Sequence, residues 1–236
     1  MNPLDRPIWH ALNTHLAHIS SGSARARRMQ APFGIFAAAA DDSAESLAAL
    51  GELVPHDGAI LLLQAGNSPL PPGTTAQMTL PGVQMIARQL TPLEPDHRFR
   101  RLTPQDTGEM IELAALTQPG PFFERTNEIG PFWGAHENGK LVAMAGERLR
   151  FDDYVEVSGV CTHPDFRGRG YAGLLSRLVA TQILKQGKTP ILHAVSSNTT
   201  AIRLYETLGF VLRCEVTATV LIRAATVPQE NSPAPH

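Results

Sequence analysis

The chain has 236 residues, of which 43% are hydrophobic, and its formal net charge is −2. These values are typical of a globular protein with one large domain or two small ones, and they exclude a global charge that would attract nucleic acid or an anionic membrane. The longest apolar run, Ile35 to Ala40, is too short to cross a bilayer. The two cysteines, Cys161 and Cys214, form neither a disulfide framework nor a metal-ligand pattern. We therefore expect a cytoplasmic protein without a resident metal.

Residues 1–96 predict a smaller α/β domain that carries no recognisable chemistry. Asp5 and Pro7 are typical of a helix start, and Ser43 is a favourable N-cap for a second helix. Residues 20–28 are small and basic, which predicts a solvated connector. The predicted elements are a helix over 6–19, strands over 33–37 and 59–63 with a helix from Ser43 between them, and further strands over 78–80 and 83–90.

A proline-containing linker, Thr91 to Asp96, places a domain boundary near residue 96. Residues 97–223 then form a second domain, and residues 224–236, with three prolines and no apolar period, predict a disordered tail. Asn138-Gly139 is the strongest short hairpin signal in the chain. The predicted elements are strands over 98–102, 132–136, 141–150, 154–163, 190–195 and 210–222, and helices over 103–116, 122–128, 171–187 and 198–209.

One stretch of this second domain, Val155 to Ala172, carries the strongest functional signal. A β-branched strand ends at Pro164, which cannot donate to a ladder, and Arg167-Gly168-Arg169-Gly170 follows before a helix that begins at Tyr171. The first N–H groups of a helix have no helical partner and favour an anion, and glycines let a phosphate approach the backbone. The order strand, glycine-rich turn and helix therefore predicts a phosphate site.

The glycines of this turn allow two interpretations. Gly168, Gly170 and Gly173 spell G-x-G-x-x-G, the dinucleotide fingerprint. That fingerprint needs its first glycine directly after the strand and an acidic residue about 20 residues later. Here four residues separate strand and glycine, and the next strand ends His193-Ala194-Val195-Ser196 without a carboxylate. A nicotinamide oxidoreductase is therefore the less favoured interpretation.

The second interpretation rests on two motifs in order. Arg167-x-x-Gly170-x-Ala172 is similar to the pyrophosphate loop of the GCN5-related N-acetyltransferase (GNAT) superfamily. Downstream, the run from Asn198 to Phe210, N-x-x-A-x-x-x-Y-x-x-x-G-F, resembles the fourth helix of that superfamily. The resemblance covers about Arg98 to Arg223. Residues 1–96 and the run from Ser158 to Pro164 more loosely resemble the glycine N-acyltransferase-like branch.

This resemblance implies an α+β fold, in which a mixed, largely antiparallel sheet has helices on both faces. It also implies acetyl-CoA as the acyl donor. In the family the strand before the loop lines the pantetheine arm and the loop holds the pyrophosphate. The cofactor-binding residues implied in this chain are Val160, Cys161, Thr162, Arg167, Gly168, Arg169, Gly170, Tyr171, Ala172 and Asn198.

Two further residues are implied to act in the chemistry. Tyr205 corresponds to a family tyrosine that protonates the leaving thiolate; the alternative is a core aromatic residue on an apolar helix face. Glu156 lies where many relatives place a glutamate base; the alternative is an exposed carboxylate at the start of a strand. Strand alternation predicts that Glu156 shares a face with Ser158, Val160 and Thr162, and that Cys161 faces the other way as a buried thiol.

Taken together, the residues predict an acyl-CoA-dependent N-acetyltransferase that acts on a primary amine by direct attack. The acceptor could be a small molecule or the amine of a protein or peptide, and the enzyme could be a monomer or a homodimer, with no nucleic acid or membrane as partner. Residues 1–96 are expected to pack on the second domain and to wall the acceptor pocket. The rival hypothesis is a CoA-binding regulatory or scaffold protein without turnover.

Overall fold

The computed structural model describes residues 2–90, 93, 96 and 98–225. Most of the predicted linker and nearly all of the predicted disordered tail lie outside these residues. The helices and strands of the described chain are α1 (Pro7–Asn13), β1 (Ser20–Gly22), β2 (Ala26–Met29), β3 (Ala37–Ala39), α2 (Ala44–Glu52), β4 (Ile60–Ala65), β5 (Thr74–Ala87), β6 (Phe99–Arg101), α3 (Thr107–Thr117), β7 (Phe132–Glu137), β8 (Lys140–Phe151), β9 (Tyr154–Thr162), α4 (Tyr171–Lys185), β10 (Thr189–Val195), α5 (Thr199–Thr207) and β11 (Phe210–Arg223).

One eight-stranded sheet organises the molecule, with the spatial order β4-β11-β5-β10-β9-β8-β7-β6. Its strands pair antiparallel except for β9 and β10, which are parallel. The predicted α+β fold with a mixed, largely antiparallel sheet is confirmed. Strands β1, β2 and β3 form a separate small antiparallel sheet.

Strands from both sides of residue 96 belong to the large sheet. β5 lies between β10 and β11, and β4 pairs with β11. The division into two domains at this residue stays a prediction, but the boundary does not separate two sheets. A chain that began near Asp96 would lack the strand that joins β10 to β11.

Helices cover both faces of the sheet, as neighbouring strand residues show. Met85 and Leu192 join the apolar cluster under α4 and α5, whereas Ile86 and Ile191 join the cluster under α1. Consecutive side chains of a strand point to opposite faces, so these helices lie on opposite sides. α3 packs with β8 and β9 in a further cluster that contains Met144 and Cys161.

A β-bulge in β9 corrects the predicted alternation of that strand. Gly146 pairs with Ser158 but Met144 pairs with Cys161, so two residues of β9, Gly159 and Val160, oppose a single residue of β8. Gly159 has φ +63°, which favours glycine. The extra residue reverses the alternation: Val160 packs with the α4 cluster, whereas Cys161 packs with the α3 cluster. The expectation that Glu156 and Val160 share a face is wrong.

Several local signals in the N-terminal region predicted the wrong element. The helix predicted over 6–19 ends at Asn13, and a 3₁₀ turn, Ala17–Ile19, follows it. The predicted connector over 20–28 contains β1 and most of β2, and the strand predicted over 33–37 starts only at Ala37. The Ser43 cap is confirmed, because its side chain accepts a hydrogen bond from the Ser46 N–H. None of the described helices is long and apolar enough to span a membrane.

Candidate active site

The two parallel strands of the sheet separate at one end. β9 and β10 pair over Tyr154 to Glu156 on β9 and Thr189 to Ile191 on β10. Beyond this point β9 continues its pairing with β8, and β10 continues its pairing with β5. A gap opens between the diverging strands, and backbone groups that face it lack a neighbouring strand.

This gap belongs to a cleft of about 1020 Å³. Its walls come from the second half of β9, the end of β10, the loop before α4 and the start of α5. The predicted site residues that line it are Val160, Cys161, Thr162, Arg167, Gly168, Gly170, Tyr171, Ala172, Asn198 and Tyr205. Arg169 and Glu156 are not among the lining residues.

The loop before α4 has the geometry of an anion site. Gly168 and Gly170 have φ of +77° and +81°, which side chains rarely adopt, and a Cβ on Gly168 would meet no atom within 4 Å. The Leu174 N–H donates to the Gly170 carbonyl, so the N–H groups of the three preceding residues lie before the first helical hydrogen bond. The helix therefore presents free donors and its positive end to open space.

The two arginines of this loop have different environments. Arg169 forms an ion pair with Glu137 at 2.9 Å and lies over the Phe166 ring, and the Tyr171 hydroxyl donates to the same carboxylate. These contacts fix the loop against β7. Arg167 lines the cleft, and its guanidinium has no hydrogen bond or ion pair with a described residue, so it is available to a ligand.

Strand β9 brings its backbone and one thiol to the cleft. The His163 N–H donates to the Val142 carbonyl, so alternation directs the N–H of Thr162 away from β8 and toward the gap. Burial raises the pKa of the Cys161 thiol to about 11. A thiol in this state is not a nucleophile at neutral pH, which argues against a covalent acyl-cysteine.

Helix α5 places Tyr205 in the cleft. Asn198 caps this helix, since its side chain accepts from the Ala201 N–H at 3.1 Å. Tyr205 lies two turns later and is 9% exposed, with its ring packed edge-to-face on Phe210. Burial raises the pKa of Tyr205 to about 12. Within the described chain its hydroxyl has no hydrogen-bond partner, so it can donate to a ligand.

Glu156 lies behind the wall of the cleft rather than in it. It is 1% exposed, and Arg148 binds it with two hydrogen bonds of 2.7 and 2.8 Å. His193 Nδ1 lies 2.7 Å from the same carboxylate. Burial alone would raise the pKa of Glu156, but the charge of Arg148 and the hydrogen bond from His193 outweigh it and hold the pKa well below its usual range. Because Glu156 does not line the cleft, a proton from the cleft can reach it only through a neighbouring residue.

The hydrogen bonds around Gln84 indicate the roles of the two His193 ring nitrogens. Gln84 Oε1 accepts from Arg213, and Gln84 Nε2 donates to the Leu4 carbonyl and lies 2.9 Å from His193 Nε2. Because an amide nitrogen is only a donor, His193 Nε2 is the acceptor in this contact. The other ring nitrogen, Nδ1, is then the donor to Glu156.

Comparison with known proteins shows the family of this chain. A family model described as FR47-like protein matches residues 133–220. A crystal structure from Novosphingobium aromaticivorans, described as an acetyltransferase of the GNAT family, is 40% identical, with a TM-score of 0.90 over 95% of this chain and 100% of that chain. The chain belongs to the GNAT family.

A more distant GNAT structure, a GCN5-related N-acetyltransferase from Kribbella flavida, has the same fold. It is 16% identical, with a TM-score of 0.65 over 95% of this chain and 97% of that chain. No curated protein matches significantly. The predicted family and class of enzyme, an acyl-CoA-dependent N-acetyltransferase, are confirmed. The glycine N-acyltransferase-like branch stays a prediction.

Two lining residues of this GNAT cleft were missed by the sequence analysis. Arg148 and His193 both line it, and both contact Glu156. They lie on β8 and β10, on either side of β9, and no motif joins them. The only sequence signal is a polar residue inside an apolar strand, which is costly to bury without a partner.

A carboxylate–histidine group on β7 and α3 was also missed. Asp106, Glu109 and His136 offer ligand atoms within 4.8 Å of one another. Arg100 already binds Asp106 at 2.6 Å, and its guanidinium lies 3.0 Å from His136. Since the Arg100 guanidinium contacts two of the three residues, and Asp106 also caps the turn before α3, the geometry of the group is explained without a metal.

Proposed function

We propose that the protein transfers the acetyl group of acetyl-CoA to a primary amine. The observation that carries this proposal is the position of one open helix N-terminus, a split pair of parallel strands and Tyr205 around a single cleft. A split sheet admits an extended thioester between its strands. The free N–H groups at α4 suit the diphosphate at one end of that thioester.

The donor would lie along β9. Arg167 and the N–H groups around Gly170 would hold the diphosphate, and Asn198 and the backbone of Val160 to Thr162 would bind the pantetheine arm. The backbone N–H groups of β9 that face the gap would polarise the thioester carbonyl. Much of the rate would come from holding amine and carbonyl in the reactive geometry.

In the chemical step, the neutral amine forms a bond to the thioester carbon and the bond from that carbon to sulfur breaks. His193 Nε2 would accept the proton that the amine loses, in place of its hydrogen bond from Gln84, while Glu156 stabilises the imidazolium that results. The Tyr205 hydroxyl would donate a hydrogen bond to the departing sulfur. Because the Tyr205 pKa is raised to about 12, the phenol keeps its proton throughout the usual assay range and acts first as a hydrogen-bond donor. This assignment keeps Glu156 in the catalytic unit, but as the partner of His193.

The rival candidate is a CoA-binding scaffold without turnover. A buried tyrosine in the cleft, whose hydroxyl has no partner among the residues that the structure describes, favours the enzyme, because a scaffold has no use for it. The test is amine-dependent release of CoA thiol from acetyl-CoA, measured over a panel of small amines and peptides. Tight CoA binding with no amine-dependent thiol release would favour the scaffold. A cytoplasmic site of reaction and a small-molecule or peptide acceptor belong to the same proposal.

A further inference from the structure

The cleft has an unusual distribution of charge for an enzyme that accepts an amine. Among the described residues that line it, Arg148 and Arg167 are cationic and none is Asp or Glu. An acceptor that brought only an ammonium group would meet no carboxylate on this wall. The residues that line the cleft therefore suit an acceptor that carries a negative charge of its own.

The two arginines lie at opposite ends of β9. Arg148 binds Glu156, near the start of the strand, whereas Arg167 follows its last residue, Thr162. Six residues of a strand span roughly 20 Å. Arg167 belongs to the loop that would hold the diphosphate of acetyl-CoA. Arg148 is therefore the cation at the other end of the cleft, where the acceptor amine would bind.

Arg148 is held in a fixed position, and several N–H groups of its guanidinium have no partner in the described chain. Two of the five N–H donors of its guanidinium go to Glu156, through Nε and Nη2. The guanidinium also stacks on the Phe36 ring, 4.7 Å from its centre. The three remaining donors, both of Nη1 and one of Nη2, have no partner in the described chain. They form the edge that binds a carboxylate with two parallel hydrogen bonds.

We propose that Arg148 binds a carboxylate of the acceptor, so that the substrate is an amino-acid-like amine rather than a simple amine or a polyamine. This inference deepens the acetyl transfer proposed above and rests on it. The Nε edge of the Arg148 guanidinium binds Glu156, and the Nη1 edge is free to bind the substrate carboxylate. Glu156 then has two effects: it orients His193, and it holds the arginine that positions the amine.

The test compares matched pairs of acceptors, in which each of several amino acids is assayed against its own carboxamide. An α-amide lowers the amine pKa to roughly 8, so at pH 7.5 the amide offers more neutral amine. A preference for the amino acid would therefore run against amine basicity. We expect kcat/KM to be at least about tenfold higher for the amino acids, the size of a charge-assisted hydrogen bond.

Arg148→Gln should reduce this ratio to near one, and Arg148→Lys, which keeps a cation beside Glu156, should leave an intermediate ratio. Arg167→Lys is the matched control: it should raise the KM for acetyl-CoA and leave the ratio unchanged. Thermal melts and CoA titrations establish that each variant is folded. If Arg148→Gln fails to fold, the wild-type ratio still decides whether the acceptor carries a carboxylate, and Arg148→Lys, which keeps the cation, tests the role of the arginine.

The outcomes separate the two proposals. Acetylation of amino acids and amides at equal efficiency would overturn the role of Arg148 and leave acetyl transfer standing. A ratio that persists in folded Arg148→Gln would also overturn it, since another residue would then bind the carboxylate. Turnover of no compound would overturn acetyl transfer to amines, and the carboxylate site with it.

Discussion

The two ends of the cleft are built in different ways. The proposed donor end comes from one continuous segment, the last residues of β9, the glycine loop and the first turn of α4, and it relies on backbone N–H groups. The proposed acceptor end is assembled from side chains on β8, β9 and β10, with support from β5 and β11. A backbone site is determined by local sequence, whereas a side-chain site depends on which strands become neighbours.

The difference also has an energetic side. The free N–H groups at the N-terminus of α4 face open space, so they need no hydrogen-bond partner within the protein. At the proposed acceptor end, the buried Glu156 carboxylate pairs with the partly buried Arg148 guanidinium, and removing either one leaves the other without its ion-pair partner. Such a loss typically costs about 3–5 kcal/mol. We therefore expect substitutions at the two ends to separate binding effects from stability effects.

The largest effect on kcat should come from Tyr205, which lines the cleft between its two ends. Tyr205→Phe keeps the ring on Phe210 and removes only the hydroxyl, so kcat should fall by about 10²–10⁴-fold while CoA affinity stays the same. Pre-steady-state thiol release would measure the chemical step. Tyr154→Phe, outside the cleft, is the matched control. A fall of less than about threefold, with chemistry shown to limit the rate, would remove Tyr205 from the mechanism.

Next in size is the loss of the buried carboxylate. Glu156→Gln should destabilise the protein by about 3–5 kcal/mol and also lower kcat. The wild-type Glu156 pKa is depressed, so its contribution to stability is present above the unfolded-state pKa of about 4.3 and is lost as the pH falls below it. In melting curves between pH 3 and 8, the difference in stability between the two proteins should therefore narrow below about pH 4.3 but still be present at pH 3.

The control for that variant is Glu147→Gln. Glu147 is 3% exposed and pairs with Arg150 at 2.7 Å, but it does not line the cleft, and its carboxylate has no hydrogen bond or ion pair with the Arg148 guanidinium. It should lose stability and keep the rate per folded molecule. If both variants lost activity equally, the effect of Glu156 would be structural, and the His193 relay would be rejected.

A smaller effect is expected at the donor end. Gly170→Ala places a methyl group where the diphosphate approaches and should weaken CoA binding about tenfold, at a cost in stability of about 1 kcal/mol for the positive φ. Gly187→Ala at the other end of α4 has the same strain, with φ +70° and no atom near the added Cβ. Calorimetry should find similar melting temperatures and different CoA affinities. Equal affinities would exclude the loop as the diphosphate site.

The smallest effect tests the support of the acceptor end by the N-terminal region. Phe36→Leu removes the ring under Arg148, a contact worth about 0.5–1 kcal/mol, and should raise the acceptor KM about two- to fivefold. Phe33→Leu is the control, because Phe33 lies under Arg125, which does not line the cleft. An unchanged acceptor KM in folded Phe36→Leu would show that the N-terminal region does not influence the acceptor.

The local backbone geometry of the proposed donor end could be predicted from the sequence, because its causes are local. Gly168 and Gly170 are needed for positive φ, Pro164 ends the strand, and Asn198 caps the next helix. The Asn138-Gly139 hairpin was predicted for the same reason, and both residues have positive φ. Each of these signals depends on a few neighbouring residues, so a single sequence contains all of the information.

The acceptor end could not be predicted, because its contacts join distant segments. Gln84 and His193 are 109 positions apart, and Arg213 and Asp5 are 208 apart. The bulge at Gly159 had no unambiguous signal, and it reversed the predicted alternation for the residues of β9 that follow it. In the N-terminal region, short strands of small and basic residues such as Ala26–Met29 are stabilised by their partners rather than by their own propensity.

The position of β5 has a consequence for synthesis of the chain. β5 ends at Ala87, and the first of its two partners, β10, begins at Thr189, 102 positions later. The ribosome makes β5 long before β10 and β11 exist. Apolar residues of β5 such as Met85 and Ile86 therefore stay unburied by the sheet until these later strands have been made. The last strand made, β11, then joins β4 and β5 together. Premature termination near residue 210 would therefore leave β5 paired with β10 alone and expose the edge that β11 covers in the complete sheet.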